Sequence, residues 1–517
     1  MASDGRGAVA TPPAAAAPAA GDAITARQWL ILLSVQFTTI LFGLTATSVT
    51  VILPQLKGAF SATQDQISWV LTFNLVATAV ATPLTGWLAA RLGWRTLMIC
   101  SVTGFTVASM LCGMTSSLDT LLFLRVVQGA FGAPIFPMGQ TVLLASFERR
   151  QHPFIIMMWG VGGVMGPILG PTFGGVVTDL LGWRWTFLLI LPLGVASAAL
   201  VMAALNDQER GTARRFDLTG YMFLGVAIAA TQLMFDRGQR EDWFDSPEIV
   251  IECALAAVFL AMFVIHMNTA RDPLFEAGVF ADRNFAVGTA VALVMGMLQY
   301  TTMVLFPPLL QELRGYPETI IGYLLATRGL GNLMSFLIVA QLTRHAPRAC
   351  LCAGLLIQAG AGWWMCALDI NMTTADVLWT NMLHGFGFGL AYTPMAVLAF
   401  STMPVKQLTQ GNSVFALIRM LGGSFYISMT LLVLVHTTAA AGVNLSTTVT
   451  VFSAEAVAPW TAAYGAFGGT APYERMAAEL HRQASMIGYI NAFALMTIVP
   501  VVAAPLAFLF ARRRAGA

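Results

Sequence analysis

The chain of 517 residues is 57% hydrophobic and only 10% charged, with a mean hydropathy of +0.73. So little polar side chain cannot cover a water-soluble fold of this size, and the expected solvent is a lipid bilayer. The net charge of +2 comes from scattered basic residues, which excludes the basic stripe of a nucleic-acid partner. Cys100, Cys112, Cys253, Cys350, Cys352 and Cys366 lie in or beside apolar runs without CxxC pairing. They read as small core residues, and no metal or cofactor is expected.

Residues 1–28 are Ala/Pro-rich and lack the apolar core and cleavage site of a signal peptide, so a disordered cytoplasmic tail is expected. A helix needs roughly 20 apolar residues to cross the hydrocarbon core. That rule places six spans at 29–53, 67–89, 96–114, 118–143, 154–178 and 185–205. Two more follow the polar stretch after residue 205, at 218–235 and 249–267, within a linking segment 206–284. Six others lie at 285–308, 318–342, 349–367, 376–400, 412–436 and 487–510, with an outer loop 437–486 left open in structure and a basic tail at 511–517. The fold class is therefore all-α integral membrane, with about 14 transmembrane helices.

Basic residues alternate between the loops accordingly. Seventeen Lys and Arg, among them Arg91, Arg95, Arg149, Arg150, Arg344, Arg348 and Lys406, fall on the side of the N-terminus, against seven on the other side. The positive-inside rule then expects both termini in the cytoplasm. Arg125, Arg328 and Arg419 fall within spans.

Three stretches of the N-terminal half have unusual composition. In "GWLAARLGWRT" (86–96), Gly86 allows close helix approach, Gly93 a tight turn, and Arg91 and Arg95 can meet carbonyls or acids at helix ends. A degenerate echo, "AQLTRHAPR" (340–348), suggests an internal duplication. In "LRVVQGAFGAP" (124–134), Arg125 and Gln128 share a helix face, as a structural clamp or as part of transport. In "GVGGVMGPILGPTFGGVV" (160–177), Gly166, Pro167, Gly170, Pro171, Gly174 and Gly175 form a small-residue ridge on a proline-weakened helix, suited to close packing and bending.

Taken in order, these segments resemble the motifs of the major facilitator superfamily, and the GP…GP…GG pattern resembles the fifth-helix motif of its drug/proton antiporters. Three further stretches, "GWRWTFLLILPLG" (182–194), "FDRGQREDWFDS" (235–246) and "NSVFALIRMLGGSFYISM" (412–429), are similar to the fourteen-span EmrB type. The resemblance covers essentially everything beyond the tail. It implies two six-helix bundles (29–205 and 285–510) around a central cavity, joined by two extra linker helices, and export by rocking while protons enter. It also implies a bacterial inner membrane, and a periplasmic adaptor protein and outer-membrane channel as partners.

The chain departs from that pattern at one telling place. The first span of the resembling family usually reads like "LDTTIANVALP", whereas this chain has "LTATSVTVILP" (44–54), with Thr45 where the family has aspartate. Ala90 likewise stands where the wider superfamily often has aspartate. Among groups well inside the bundle spans, His384 in "NMLHGFGFGLAYTPM" (381–395) is the titratable candidate that is not arginine. An imidazole can carry a proton near physiological pH. The alternative is a neutral histidine hydrogen-bonded in the core. Arg125, Arg328 and Arg419 share the coupling or charge-relay candidacy, and cavity-facing arginines would favour neutral or anionic cargo. Gln36, Thr45, Asn74, Gln128, Gln299, Tyr300, Asn332 and Asn381 are candidate cavity residues, chosen as polar positions within apolar runs.

The expected function is proton-driven multidrug efflux of hydrophobic small molecules by alternating access. Two other readings stay open: export of a specific anionic metabolite, siderophore or weak acid, and a transport-inactive sensor or scaffold. No HExxH, GxSxG or GxxxxGK[ST] pattern occurs, so neither an intramembrane enzyme nor direct use of ATP is expected.

Overall fold

A computed structural model of the protein describes residues 24–206, 216–275, 277–448, 458 and 471–511, and all regular structure among them is helical. The first helix, α1 (Ala26–Phe60), starts where Thr25 and Gln28 form a reciprocal capping box and stops at Ser61, whose φ of 48° is left-handed. It therefore takes in the last residues of the stretch expected as tail; residues 1–23 lie outside the described residues. Its 35 residues give a rod of about 52 Å, longer than a hydrocarbon core of about 30 Å.

Next, α2 comprises Gln64–Ala81 and Leu84–Leu92, bent by 59° between them. Pro83 sits at the break, where it withholds a backbone donor and disfavours continuation of the helix. The N-terminal bundle is completed by α3 (Trp94–Met114), α4 (Leu118–Ser146), α5 (His152–Leu181) and α6 (Trp183–Ala204). Gly93, at φ 82°, makes the turn between α2 and α3. The linking pair is α7 (Leu218–Arg237) and α8 (Pro247–Thr269). The C-terminal bundle is built from α9 (Arg283–Leu313), α10 (Glu318–His345), α11 (Pro347–Cys366), α12 (Thr374–Ala399), α13 (Val405–Thr448) and α14 (Ala471–Ala503). The described residues thus supply 13 helices able to cross a membrane, or 14 with the bent α2 as one span.

The two linking helices differ in their surroundings. Helix α8 has only 11% of its most apolar stretch buried, so it is a lipid-facing wall. Helix α7 bridges the bundles: Thr72 on α2 donates to Asp236 at 2.5 Å, while Gln232 donates to Ser424 and Ser428 donates to the Phe235 carbonyl, each at 2.8 Å, on α13.

Near the C-terminus, the stretch 437–486 is largely not loop where it is described, because α13 runs on to Thr448 and α14 begins at Ala471. Neither described part has an apolar run for hydropathy to register: 471–486 is rich in helix-forming Ala, Glu, Met and Arg, whereas 437–448 continues α13 with Ala among weak helix formers. The rest of that stretch lies outside the described residues apart from residue 458. At 44 residues, α13 is about 66 Å long.

Both described ends lie on one face. Gln28 donates to the Ser146 carbonyl at 3.2 Å, Arg283 to the Leu509 carbonyl at 2.9 Å, and the Ala511 amide to Asn284 at 2.8 Å. We call this the tail face; α13 and α14 project from the opposite face.

Candidate functional site

The two bundles close on each other at the tail face. Asn412 on α13 donates to Thr141 on α4 at 3.0 Å. Gly86 on α2 lies so close to Gln410 that a methyl group added there would be 3.2 Å from its Cα. Towards mid-membrane, Phe154, Met157 and Met158 of α5 pack with Phe336 and Val339 of α10, and the Trp159 and Tyr392 rings meet at 6.2 Å.

A cavity lies against this seal, between α4 and α5 on one side and α9, α10, α12 and α13 on the other. It consists of two small adjoining pockets that share Gly163, Val164, Gln299, Asn332 and Phe388. Arg419 lines the first pocket with Phe136, Trp159, Phe336 and Tyr392, and Arg328 lines the second with Ile168, Tyr300, Met303 and Leu325. Among the described residues, no carboxylate lines either pocket.

Each cavity arginine is held without an acid. Arg419 reaches across the bundle interface to lie 4.9 Å from the centre of the Phe136 ring, and donates through one terminal nitrogen to Gln299. Its Nε is buried with no hydrogen-bond partner. Arg328 stacks 5.5 Å over Phe388 and donates to the Leu298 carbonyl at 3.4 Å. Aromatic faces and one carbonyl each are weak compensation for a guanidinium.

Of the residues singled out in the sequence, Pro167, Gln299, Tyr300, Asn332, Arg328 and Arg419 line this cavity. Others are absorbed into packing. Arg125 is buried inside the N-terminal bundle, donating to the Val70 carbonyl at 2.9 Å and to Gln128, which donates in turn to Ser109 at 2.5 Å. Asn74 donates to the Arg125 carbonyl at 3.0 Å. These residues have the geometry of the structural clamp. Gln36 ties α1 to the Met158 carbonyl of α5 at 2.8 Å, and Thr45 turns its hydroxyl to its own helix, at the Leu41 carbonyl.

His384 is fully buried on α12 with neither ring nitrogen hydrogen-bonded, one turn from the cavity residue Phe388. Arg328 is near enough to interact with it electrostatically. Asn381, one turn away, is buried with its side-chain oxygen unpartnered. A buried polar group without a partner is costly, and on α12 Asn381, His384, Tyr392 and Thr393 each carry a buried side-chain atom without one.

The glycine ridge serves α1. A Cβ on Gly166, Gly170 or Gly174 would lie 2.7–2.8 Å from a backbone oxygen of α1, whereas Gly175 meets nothing nearer than 3.9 Å. Pro167 packs on Gly43 of α1; nothing in the structure assigns Pro171 a particular contact. Arg91 stacks 5.2 Å over Trp87, and Arg95 donates to the Met202 carbonyl at 3.3 Å. The polarity criterion missed the aromatic lining, Phe136, Trp159, Phe336, Phe388 and Tyr392. Only their placement in glycine-rich helices marked them in the sequence, and that placement does not separate cavity lining from packed core: α12, which carries Phe388 and Tyr392, has 78% of its most apolar stretch buried.

The sequence matches the profile of the Major Facilitator Superfamily over residues 35–427. It is 30% identical over 404 residues to the multidrug export protein EmrB of Escherichia coli (strain K12), covering 78% of this chain and 79% of that protein. It is 32% identical over 402 residues to the fatty acid resistance protein FarB of Neisseria gonorrhoeae, covering 77% and 79%. The fold is similar to a double-tryptophan variant of XylE at a TM-score of 0.62 and 11% identity, covering 95% of this chain and 98% of that one. It is also similar to the human organic anion transporter MFSD10 at 0.60 and 13%, covering 93% and 99%. The chain belongs to the Major Facilitator Superfamily.

Proposed function

We propose that this protein is a secondary active exporter of hydrophobic small molecules, moving them from the cytoplasm or inner leaflet in exchange for protons. The observation that carries this reading is the cavity at the bundle interface, closed at the tail face by the Asn412–Thr141 and Gly86–Gln410 contacts. Rocking the bundles about such a cavity exposes it to one side at a time. The names of the similar proteins, multidrug export for EmrB and fatty acid resistance for FarB, fit a cavity walled by aromatic and aliphatic side chains.

The tail face, which carries Arg91, Arg149 and Arg344, is the cytoplasmic side of a bacterial inner membrane in this reading. Passage onward would call for a periplasmic adaptor protein and an outer-membrane channel. In this reading the candidate proton carrier is His384, because Thr45 cannot titrate and the unpartnered imidazole lies one turn behind the cavity wall.

The test is proton movement in energised everted vesicles, followed with a pH-sensitive dye as hydrophobic compounds are added. Substrate-dependent proton release that His384→Gln abolishes is the expected result. Substrate movement without proton release refutes the coupling, and no movement of any compound leaves the transport-inactive sensor or scaffold as the better reading.

A further inference from the structure

Unpartnered polar atoms line the cavity: Arg419 Nε and the Trp159 indole nitrogen as donors, the Tyr392 hydroxyl, and Asn332 Oδ1 as an acceptor. Two guanidiniums bracket one turn of α9, Arg328 at the Leu298 carbonyl and Arg419 at Gln299, and among the described residues no acid neutralises either. Arg419 keeps a buried Nε without an acceptor. The Tyr392 side chain is only 6% exposed, its hydroxyl has no partner, and it lines the first pocket together with Arg419. Uncompensated cationic groups in a low-dielectric cavity stay costly until an anion arrives, and a guanidinium binds a planar pair of oxygens through two donors at once.

We infer that the cavity takes an amphiphilic organic anion, a carboxylate or sulfonate whose head lies between Arg419, Tyr392 and Arg328. The hydrophobic body lies along Val164, Ile168, Phe388 and Met303. This rests on the export reading and narrows its substrate class: a lipophilic cation meets two positive charges there with no carboxylate to receive it. The ring faces of Phe136 and Phe388 are already engaged by Arg419 and Arg328, so they leave little cation–π attraction for such a cargo.

The probe pair is anilinonaphthalene sulfonate and phenylnaphthylamine, which share the fused rings and differ in the sulfonate. Their fluorescence is titrated with the full-length protein in zwitterionic lipid nanodiscs, with empty discs subtracted. The sulfonate is expected to bind at least ~10-fold more tightly than the amine. Arg419→Gln and Arg328→Gln should each remove most of that preference while amine binding persists, which shows the variants are folded; Arg419→Lys should retain part of it. Equal affinities for the two probes, no saturable binding of either, or a preference unchanged in the Gln variants overturns the inference. Should the Gln variants not fold, the wild-type comparison still decides. In proteoliposomes, export of the amine without preference for the sulfonate keeps the export reading and discards the anion. Preferential sulfonate binding without movement of either probe does the reverse.

Discussion

The contact between α1 and α5 is backbone on backbone, and replacing Gly170 with alanine should break it. The added Cβ would lie 2.8 Å from the Leu44 carbonyl oxygen and 3.1 Å from the Ser48 nitrogen, and would collide with the Thr47 hydroxyl. Ordinary contact begins near 3.4 Å, so α1 must retreat by ~0.6 Å, and overpacking of that kind costs about 1–3 kcal/mol. The retreat also stretches the 2.9 Å hydrogen bond from Ser48 to the Gly170 carbonyl and the 3.3 Å bond from Thr47 to the Pro167 carbonyl. Such bonds average roughly 0.6 kcal/mol each inside a membrane protein, giving a loss of about 2–4 kcal/mol in all. Gly175→Ala is the control: it is on the same helix, makes the same change in helix propensity, and has its nearest neighbour, the Val51 side chain, at 3.9 Å. Equilibrium unfolding in mixed micelles should show Gly170→Ala clearly less stable and Gly175→Ala equal to or slightly more stable than the parent. Equal midpoints for the two variants would refute the close-packing account of the ridge.

Three further outcomes follow from the same geometry. Arg125→Met removes the bonds to Val70 and Gln128 inside the N-terminal bundle; it should lower stability by about 1–3 kcal/mol, while probe affinity at the cavity, measured in nanodiscs, stays as it was. Gly86→Val forces α2 away from the Gln410 backbone, so disulfide formation between cysteines placed at Thr141 and Asn412, on a background without native cysteines, should fall as the tail face opens. Exchange of one proton for a monoanion moves two charges, against one for a neutral cargo, at about 2.3 kcal/mol per charge per 100 mV. In proteoliposomes clamped by valinomycin, the limiting gradient of the anion should therefore change about 50-fold more per 100 mV than that of the amine; equal voltage dependence would count against charge movement by the anion.

Spans and bundles were legible in the sequence because a bilayer allows few solutions: every backbone polar group must be satisfied within its own helix, so apolar runs and their order nearly determine the architecture. The sequence left the structure open where helices run on past the apolar spans. The far ends of α13 and α14 are helical through residues 437–448 and 471–486, and hydropathy does not register helix held by propensity in water or by contact along a hairpin.

The candidate site was legible by charge and not by shape. Three arginines within spans looked alike in the sequence, and which of them faces a cavity depends on helix rotation and on the partner across it. Arg125 has Gln128 one turn along and Val70 opposite, so its donors are taken up inside one bundle. Arg419 is set opposite Phe136 of the other bundle, a residue that no spacing rule connects to position 419. A charge whose partners all belong to its own bundle travels with it as the bundles rock, and its surroundings stay constant. Arg419 instead spans the surface along which the bundles must separate, so its ring contact is broken or remade in each cycle. A bound anion would stabilise whichever arrangement keeps both guanidiniums within its reach, which gives cargo a direct hold on the rocking equilibrium.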